Sequence, residues 1–257
     1  MELSEKRVEF SVVMPVYNEE NIIANSIRRT LEVLDTSNIF FELLVVNDGS
    51  SDRTIESLEE FRDRISMLSY GKNMGKGYAL RYGASRAKGK IIAFYDSDLN
   101  IDPSHLVKYF SELKANDIDV LVGSKRLRGS VIKSSFARQF LSISYHLIAK
   151  ALFGLKVMDT QVGIKVFKSE VLKEILPVLS IDRFAFDVEL LVLASRFGYK
   201  IAELPVSINM QTGLSNISVR AIGKMFIDTL EILYKLRIAK DPADRYHLPE
   251  RSIRKNV

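Results

Sequence analysis

The 257-residue chain has no cysteine. Disulfides, thiolate catalysis and cysteine-ligated zinc are thereby excluded. Histidine is scarce as well: His105, His146 and His247 stand far apart, which argues against a histidine metal centre. Any metal would therefore be held by oxygen. Long apolar runs are also missing. No stretch reaches the roughly 18 uninterrupted apolar residues of a membrane span, and Met1 to Arg7 lacks the apolar core of a signal peptide, so the chain is expected in the cytoplasm. The Walker spacing of Gly, four residues, Gly-Lys-Ser/Thr does not occur, nor does Gly-x-Gly-x-x-Gly, which removes P-loop kinases, ATPases and dinucleotide dehydrogenases. Without a recognition helix, zinc finger or aromatic-rich RNA-binding strand, nucleic acid is not an expected partner. The excess of 37 basic over 32 acidic residues still suits anionic partners of other kinds.

What is present reads as one large α/β domain over residues 9–210, followed by an amphipathic helix and polar tail over 211–257. Apolar strands are predicted at Phe10 to Pro15, Phe41 to Val46, Ile65 to Tyr70, Lys90 to Tyr95, Asp119 to Ser124, Ile164 to Phe167 and Ile201 to Ile208. Helical patterns lie between them, at Glu19 to Leu34, Thr54 to Arg64 with Ser51 or Asp52 as N-cap, Gly75 to Ala87, Pro103 to Ala115, Arg138 to Leu155, Ser169 to Pro177 and Asp187 to Phe197. Such alternation predicts a mostly parallel sheet flanked by helices, with a Rossmann-like nucleotide-binding half and ligands at the carboxyl edge of the strands.

Three of the first four strands end in turns of the kind that bind ligands. Pro15-Val16-Tyr17-Asn18-Glu19-Glu20 follows the first, Asn47-Asp48-Gly49-Ser50 the second and Asp96-Ser97-Asp98 the fourth. Pro15 would fix a pocket wall, Asp48 would accept hydrogen bonds from a base or ribose, and Gly49 would let backbone approach closely. In an extended segment Asp96 and Asp98 point the same way and can face one Mg2+ or Mn2+, with Asn100 as a third oxygen. Taken singly, each of these stretches is equally an ordinary polar turn. Lys76, within Asn73-Met74-Gly75-Lys76-Gly77, places a cation at a helix start suited to phosphate or to a ligand's ribose edge.

In this order the four motifs resemble those of the family 2 glycosyltransferases of the GT-A fold. The resemblance implies that Pro15, Tyr17, Glu19, Asp48 and Gly49 hold a nucleotide and that Asp96 and Asp98 hold the metal bridging its diphosphate. Asp159-Thr160-Gln161-Val162-Gly163-Ile164-Lys165-Val166-Phe167, Arg183-Phe184-Ala185-Phe186-Asp187-Val188-Glu189 and Glu203-Leu204-Pro205-Val206 are similar to segments of the dolichyl-phosphate glucosyltransferase branch and its mannosyltransferase relatives. That branch implies a polyprenyl (dolichyl-type) phosphate acceptor and a nucleotide-sugar donor, UDP-glucose ahead of GDP-mannose. Basic residues after the metal motif would then receive the acceptor phosphate: Lys125, at a position that is usually arginine, and Arg138. Asn216 stands where the family often has lysine, which leaves Arg220 as the substitute.

The resemblance further implies inversion, an α-linked donor giving a β-linked product. Asp98 belongs to the catalytic set through the metal, and Asp187 and Glu189 are expected to position sugar or acceptor, with base catalysis secondary. Acids at a helix N-terminus are the competing explanation for that pair. Phe136 to Leu155 and Val219 to Ile238, the latter edged by Arg220, Lys224, Lys235, Arg237 and Lys240, either lie in a membrane surface or pack on the core. The first option makes the protein peripheral on the cytoplasmic face of a membrane. A transferase acting on a glycan hydroxyl and a catalytically dead nucleotide-sugar-binding scaffold remain as alternatives.

Overall fold

The computed structural model describes residues 7–130, 150, 152–183, 185–208 and 227–235. Among these residues seven strands form one sheet: β1 (Phe10–Val16), β2 (Phe41–Asn47), β3 (Ser66–Ser69), β4 (Ile91–Tyr95), β5 (Val120–Ser124), β6 (Ile164–Lys168) and β7 (Ile201–Pro205). Their order is β3-β2-β1-β4-β6-β5-β7. All neighbouring pairs are parallel except those of β6, which runs antiparallel to both β4 and β5. The expected mostly parallel sheet is therefore found, with one reversed strand in its middle. Reversal has a consequence for function. Ile164, at the start of β6, pairs with Tyr95 at the end of β4, so the loop entering β6 joins the carboxyl edge of its neighbours.

Side chains of the central strands alternate between two apolar layers, as a sheet covered on both faces requires. Val13, Leu44, Val46, Ile92 and Phe94 face one layer; Val12, Met14, Leu43, Val45, Ala93 and Tyr95 face the other. The second layer is closed by α1 (Ile23–Asp35), α2 (Thr54–Leu58) and α4 (Ser104–Ala115). In α1 the buried positions Ile23, Ser26, Ile27, Thr30, Leu31 and Leu34 repeat at helical spacing, and Leu106, Tyr109, Phe110 and Leu113 do so in α4. The first layer is closed by α3 (Lys76–Ala84), α5 (Ser169–Ile175) and α6 (Phe186–Arg196).

Element ends differ from the sequence pattern where local hydrogen bonding intervenes. Residues 19–22 form turns rather than the first turn of α1, because the backbone N–H of Glu19 donates to Thr54 Oγ1 and that of Glu20 to Asp52. The N-cap of α2 is Arg53, not Ser51 or Asp52; the Asp52 carboxylate accepts from the N–H and hydroxyl of Thr54 instead. The predicted last strand stops at Pro205, and Ile208 makes only an isolated bridge to Ile101. Of the helical segments expected at 138–155 and 219–238, residues 150, 152, 153 and 227–235 are described and helical, whereas Gly154, at a left-handed φ of 67°, and Leu155 are described and lie beyond the helix end; the remainder lies outside the described residues.

Candidate active site

The turns after β1, β2 and β4 meet at the carboxyl edge, and hydrogen bonds between them explain why. The N–H of Asp48 donates to Val16 O at 2.9 Å and the Ser97 hydroxyl to Pro15 O at 3.3 Å, which ties each turn to its neighbour. Asn18 and Ser51 are linked side chain to backbone at 2.8 Å, and Glu20 accepts from the N–H of Arg53 at 3.0 Å. Between these turns and the starts of α3 and α6 opens a cavity of about 570 Å³. Pro15, Tyr17, Glu19, Asp48, Lys76, Asp96, Asp98 and Asp187, all expected in a site, line it together.

Asp48 is buried and its carboxylate is engaged by protein donors: Tyr70 Oη at 2.9 Å, the N–H of Met74 at 2.7 Å and the N–H of Gly75 at 2.9 Å. It thus fixes the 73–75 turn that delivers Lys76. Gly49 does not line the cavity but makes the same packing possible. Its φ is +67°, and a Cβ there would lie 2.6 Å from the carbonyl carbon of Lys72. Only glycine meets both demands.

Beyond β4 the chain turns at once. Asp96 and Asp98 share the cavity through this turn rather than through an extended segment, and Leu99 takes a left-handed φ of 53°. Lys76 Nζ lies 2.6 Å from Asp96 Oδ1. Desolvation opposes the Lys76 charge, but Asp96, Asp187 and Asp98 outweigh it and hold its pKa above the ordinary lysine value. Burial, and next the charge of Asp96, raise the Asp98 carboxyl above its usual range. Burial, helped by Asp98 and Asp96 against the Ser97 hydroxyl and Lys76, pushes Glu19 up to about 7. The carboxylates here outnumber the positive charge that serves them.

Asn100 sits behind Asp98 rather than in the cavity wall. Its backbone N–H donates to Asp98 Oδ1 at 3.0 Å and its side-chain amide to Asp98 Oδ2. Asn100 Oδ1 and Glu19 Oε2 are buried oxygens without a hydrogen-bond donor. Among the described residues no three His, Cys, Asp or Glu side chains gather closely enough to hold a metal by themselves. An oxygen-only donor set with two carboxylates and orphaned acceptors fits Mg2+ or Mn2+, ions that keep several positions for water and substrate phosphate.

Three predicted residues have other surroundings. Asp187 reaches the cavity but is paired at 2.9 Å with Lys165, itself buried and donating to Val162 O at 2.8 Å. Glu189, two residues on in α6, is buried away from the cavity and accepts from the N–H groups of Ser180 at 3.0 Å and Ile181 at 2.8 Å and from the Ser180 hydroxyl at 2.5 Å. Residues i and i+2 of a helix do not share a face. Lys125, at the end of β5, stands 3.7 Å from Asp159 and does not line the cavity. Arg138 and Arg220 lie outside the described residues.

The cavity also holds residues that the sequence patterns did not single out. Gln161 arrives on the loop entering β6, and Arg183 and Phe186 arrive at the start of α6. Gly163 belongs to the same loop; it accepts from the N–H of Asp96 at 2.9 Å, and a Cβ there would lie 2.5 Å from Asp96 Oδ2. Gly77 admits Phe186, whose Cβ would be 2.6 Å from an added methyl.

Comparison with known proteins adds identity to this geometry. Residues 11–176 match the family model described as glycosyl transferase family 2. Dolichyl-phosphate beta-glucosyltransferase ALG5D of Trichomonas vaginalis is 33% identical over 250 residues, covering 90% of this chain and 76% of that protein. The human dolichyl-phosphate beta-glucosyltransferase is 31% identical over 77% of this chain and 67% of its own. Among solved structures, glucosyl-3-phosphoglycerate synthase of Mycobacterium tuberculosis in complex with Mn2+, UDP and glucosyl-3-phosphoglycerate shares the fold, with a TM-score of 0.68 at 20% identity over 95% of this chain and 82% of that one.

Proposed function

Because the chain belongs to glycosyl transferase family 2, we propose that it transfers glucose from UDP-glucose to a polyprenyl phosphate of the dolichyl type, with inversion at the anomeric carbon. The observation that carries this reading is the meeting of Asp96, Asp98 and Lys76 in one cavity walled by the turns after β1 and β2. Relatives named for dolichyl-phosphate glucosylation support the acceptor, and the mycobacterial synthase, solved with Mn2+ and UDP-glucose, supports donor and metal.

In this reading Pro15, Tyr17, Glu19, Asp48 and Gly49 shape the nucleotide pocket, Asp48 by holding the wall that carries Lys76. Asp96 and Asp98 hold Mg2+ or Mn2+, with Asn100 fixing Asp98. The ion, when bound, offsets charge on the leaving diphosphate. Lys76 adds a cation to the same oxygens. A phosphate monoester, with a second pKa of about 6, is mostly a dianion at neutral pH and attacks without a general base. Asp187, tied to Lys165, therefore orients a sugar hydroxyl, while Lys125, Arg138 and Arg220 receive the acceptor phosphate.

Such an acceptor lies in a membrane surface. No helix among the described residues is long and apolar enough to cross a membrane. Helical residues 227–235 bury Thr229 and Ile232 yet expose Ile227, Leu230 and Tyr234 by 60% or more. An exposed apolar stripe at i, i+3 and i+7 supports docking on a membrane surface, which this reading takes to be the cytoplasmic face.

Incubation of the full chain with radiolabelled UDP-glucose, or GDP-mannose in parallel, with polyprenyl phosphate and Mn2+ tests the reading. The expected result is label from UDP-glucose in an organic-extractable product, lost with EDTA. Label only in water-soluble glycans, or nucleotide binding without turnover, would contradict it.

A further inference from the structure

Two cations line the cavity wall. Lys76 is engaged with Asp96 at 2.6 Å, whereas Arg183 is exposed and its guanidinium has no carboxylate partner among the described residues. The backbone that carries Arg183 is held from several directions. Glu189 takes the N–H groups of Ser180 and Ile181. Arg81 donates to Leu179 O at 3.0 Å and pairs with the Asp182 carboxylate at 2.7 Å. The N–H of Tyr78 donates to Asp182 O at 3.1 Å, and Arg183 O accepts from the N–H of Phe186 at 3.3 Å.

The stem of Arg183 crosses Gly75, where an added Cβ would lie 3.0 Å from Arg183 Cγ and 2.7 Å from Asp182 O. With φ at +104°, Gly75 is suited to that approach on both counts. The crossing brings Arg183 close to the start of α3, the helix that begins with Lys76.

We propose that Arg183 binds a phosphate group in this cavity and that Arg81 and Glu189 are positioning residues that fix the loop presenting it. A guanidinium offers phosphate a planar fork of donors, and a fixed backbone lowers the ordering cost of using it. The proposal rests on the glycosyltransferase reading above. Its phosphate has two sources, the donor's diphosphate or the acceptor's monoester, and the chemistry of recognition is the same for both.

Calorimetric UDP binding with Mn2+, together with KM for UDP-glucose and for polyprenyl phosphate, tests this in wild type, Arg183→Gln, Arg183→Lys and Arg81→Gln. Loss of one charge-assisted contact weakens a phosphate ligand about 10- to 100-fold. Arg183→Gln is expected to do this at an unchanged unfolding temperature. A weaker UDP complex assigns the donor diphosphate; unchanged UDP binding with a raised acceptor KM assigns the acceptor. Lysine restores part of the loss, since it supplies charge without the fork, and Arg81→Gln moves the same constant by a smaller factor. UDP binding and both KM values within about twofold of wild type in Arg183→Gln would overturn the phosphate role. An effect in Arg183→Gln with none in Arg81→Gln would overturn the positioning role of Arg81. In both outcomes an active wild type leaves the glycosyltransferase reading standing, whereas a wild type that neither binds UDP nor transfers sugar sinks both.

Discussion

Replacing Glu189 with alanine separates a structural carboxylate from a catalytic one. Three donors lose their acceptor: the Ser180 N–H and hydroxyl, which lie at the surface, and the Ile181 N–H, which is buried. Water can replace the first two contacts at roughly 1 kcal/mol each, whereas the orphaned buried N–H costs about 1–3 kcal/mol. The total is about 3–5 kcal/mol, lowered somewhat because the variant no longer desolvates a charge. At roughly 2–4 °C per kcal/mol for a chain of this size, the midpoint should fall by about 6–20 °C. Urea unfolding followed by circular dichroism measures the first quantity and a thermal melt the second. Glu189→Gln keeps an acceptor and should lose less than half as much. Transfer assayed well below the melting range should keep kcat within about tenfold of wild type, because no reacting atom is touched. Unchanged stability with kcat lowered by about 1,000-fold or more would refute this account and put Glu189 at the chemistry.

Gly163→Ala places a methyl 2.5 Å from Asp96 Oδ2, 2.7 Å from its Cγ and 3.0 Å from its Cβ, so the whole short side chain must shift. Folding should therefore lose about 1–3 kcal/mol by urea titration, while displacement of Asp96 from Lys76 lowers metal-dependent transfer on the order of 100-fold. Lys165→Met leaves the Asp187 carboxylate without its buried partner and should cost about 3–5 kcal/mol; Lys165→Met with Asp187→Leu should regain most of that loss in the same unfolding assay. Gly49→Ala meets the backbone of Lys72 and Asn73 rather than a side chain, and at φ +67° it should destabilise the fold by about 1–2 kcal/mol or more and weaken UDP binding by calorimetry.

Strands and their acidic or glycine-bearing turns are legible because an apolar run followed by Asp, Gly or Ser has few other uses. That made Asp48, Lys76, Asp96 and Asp98 candidates in advance, and they line one cavity. Strand direction is less legible. Apolar alternation in Ile164 to Lys168 is the same for a parallel and an antiparallel neighbour, so nothing in β6 itself announced that its entry loop joins the site. Gln161 and Gly163 were hidden for this reason, although both belong to the Asp159 to Phe167 motif.

The start of α6 gave the opposite error. Asp187 and Glu189 look like a pair on a line of text, but helical geometry sends them to different sides, one to the cavity and one to the Ser180 turn. Arg183 opens the Arg183 to Glu189 motif and is a cation just ahead of a helix whose first turn is acidic, but neither marks it as a site residue. Its importance depends on long-range contacts from Arg81 and Gly75, roughly a hundred residues away, which no local pattern encodes.

The central claim is that Asp96 and Asp98, in the cavity at the carboxyl edge, bind a nucleoside diphosphate together with a divalent cation. Titration of UDP into the protein by calorimetry, with and without Mn2+, and again with Asp98→Ala, tests it most directly. The account predicts that Mn2+ tightens UDP at least about tenfold in the wild type and that this gain disappears in Asp98→Ala. Equal affinity with and without the metal, or a gain that survives the substitution, would contradict it.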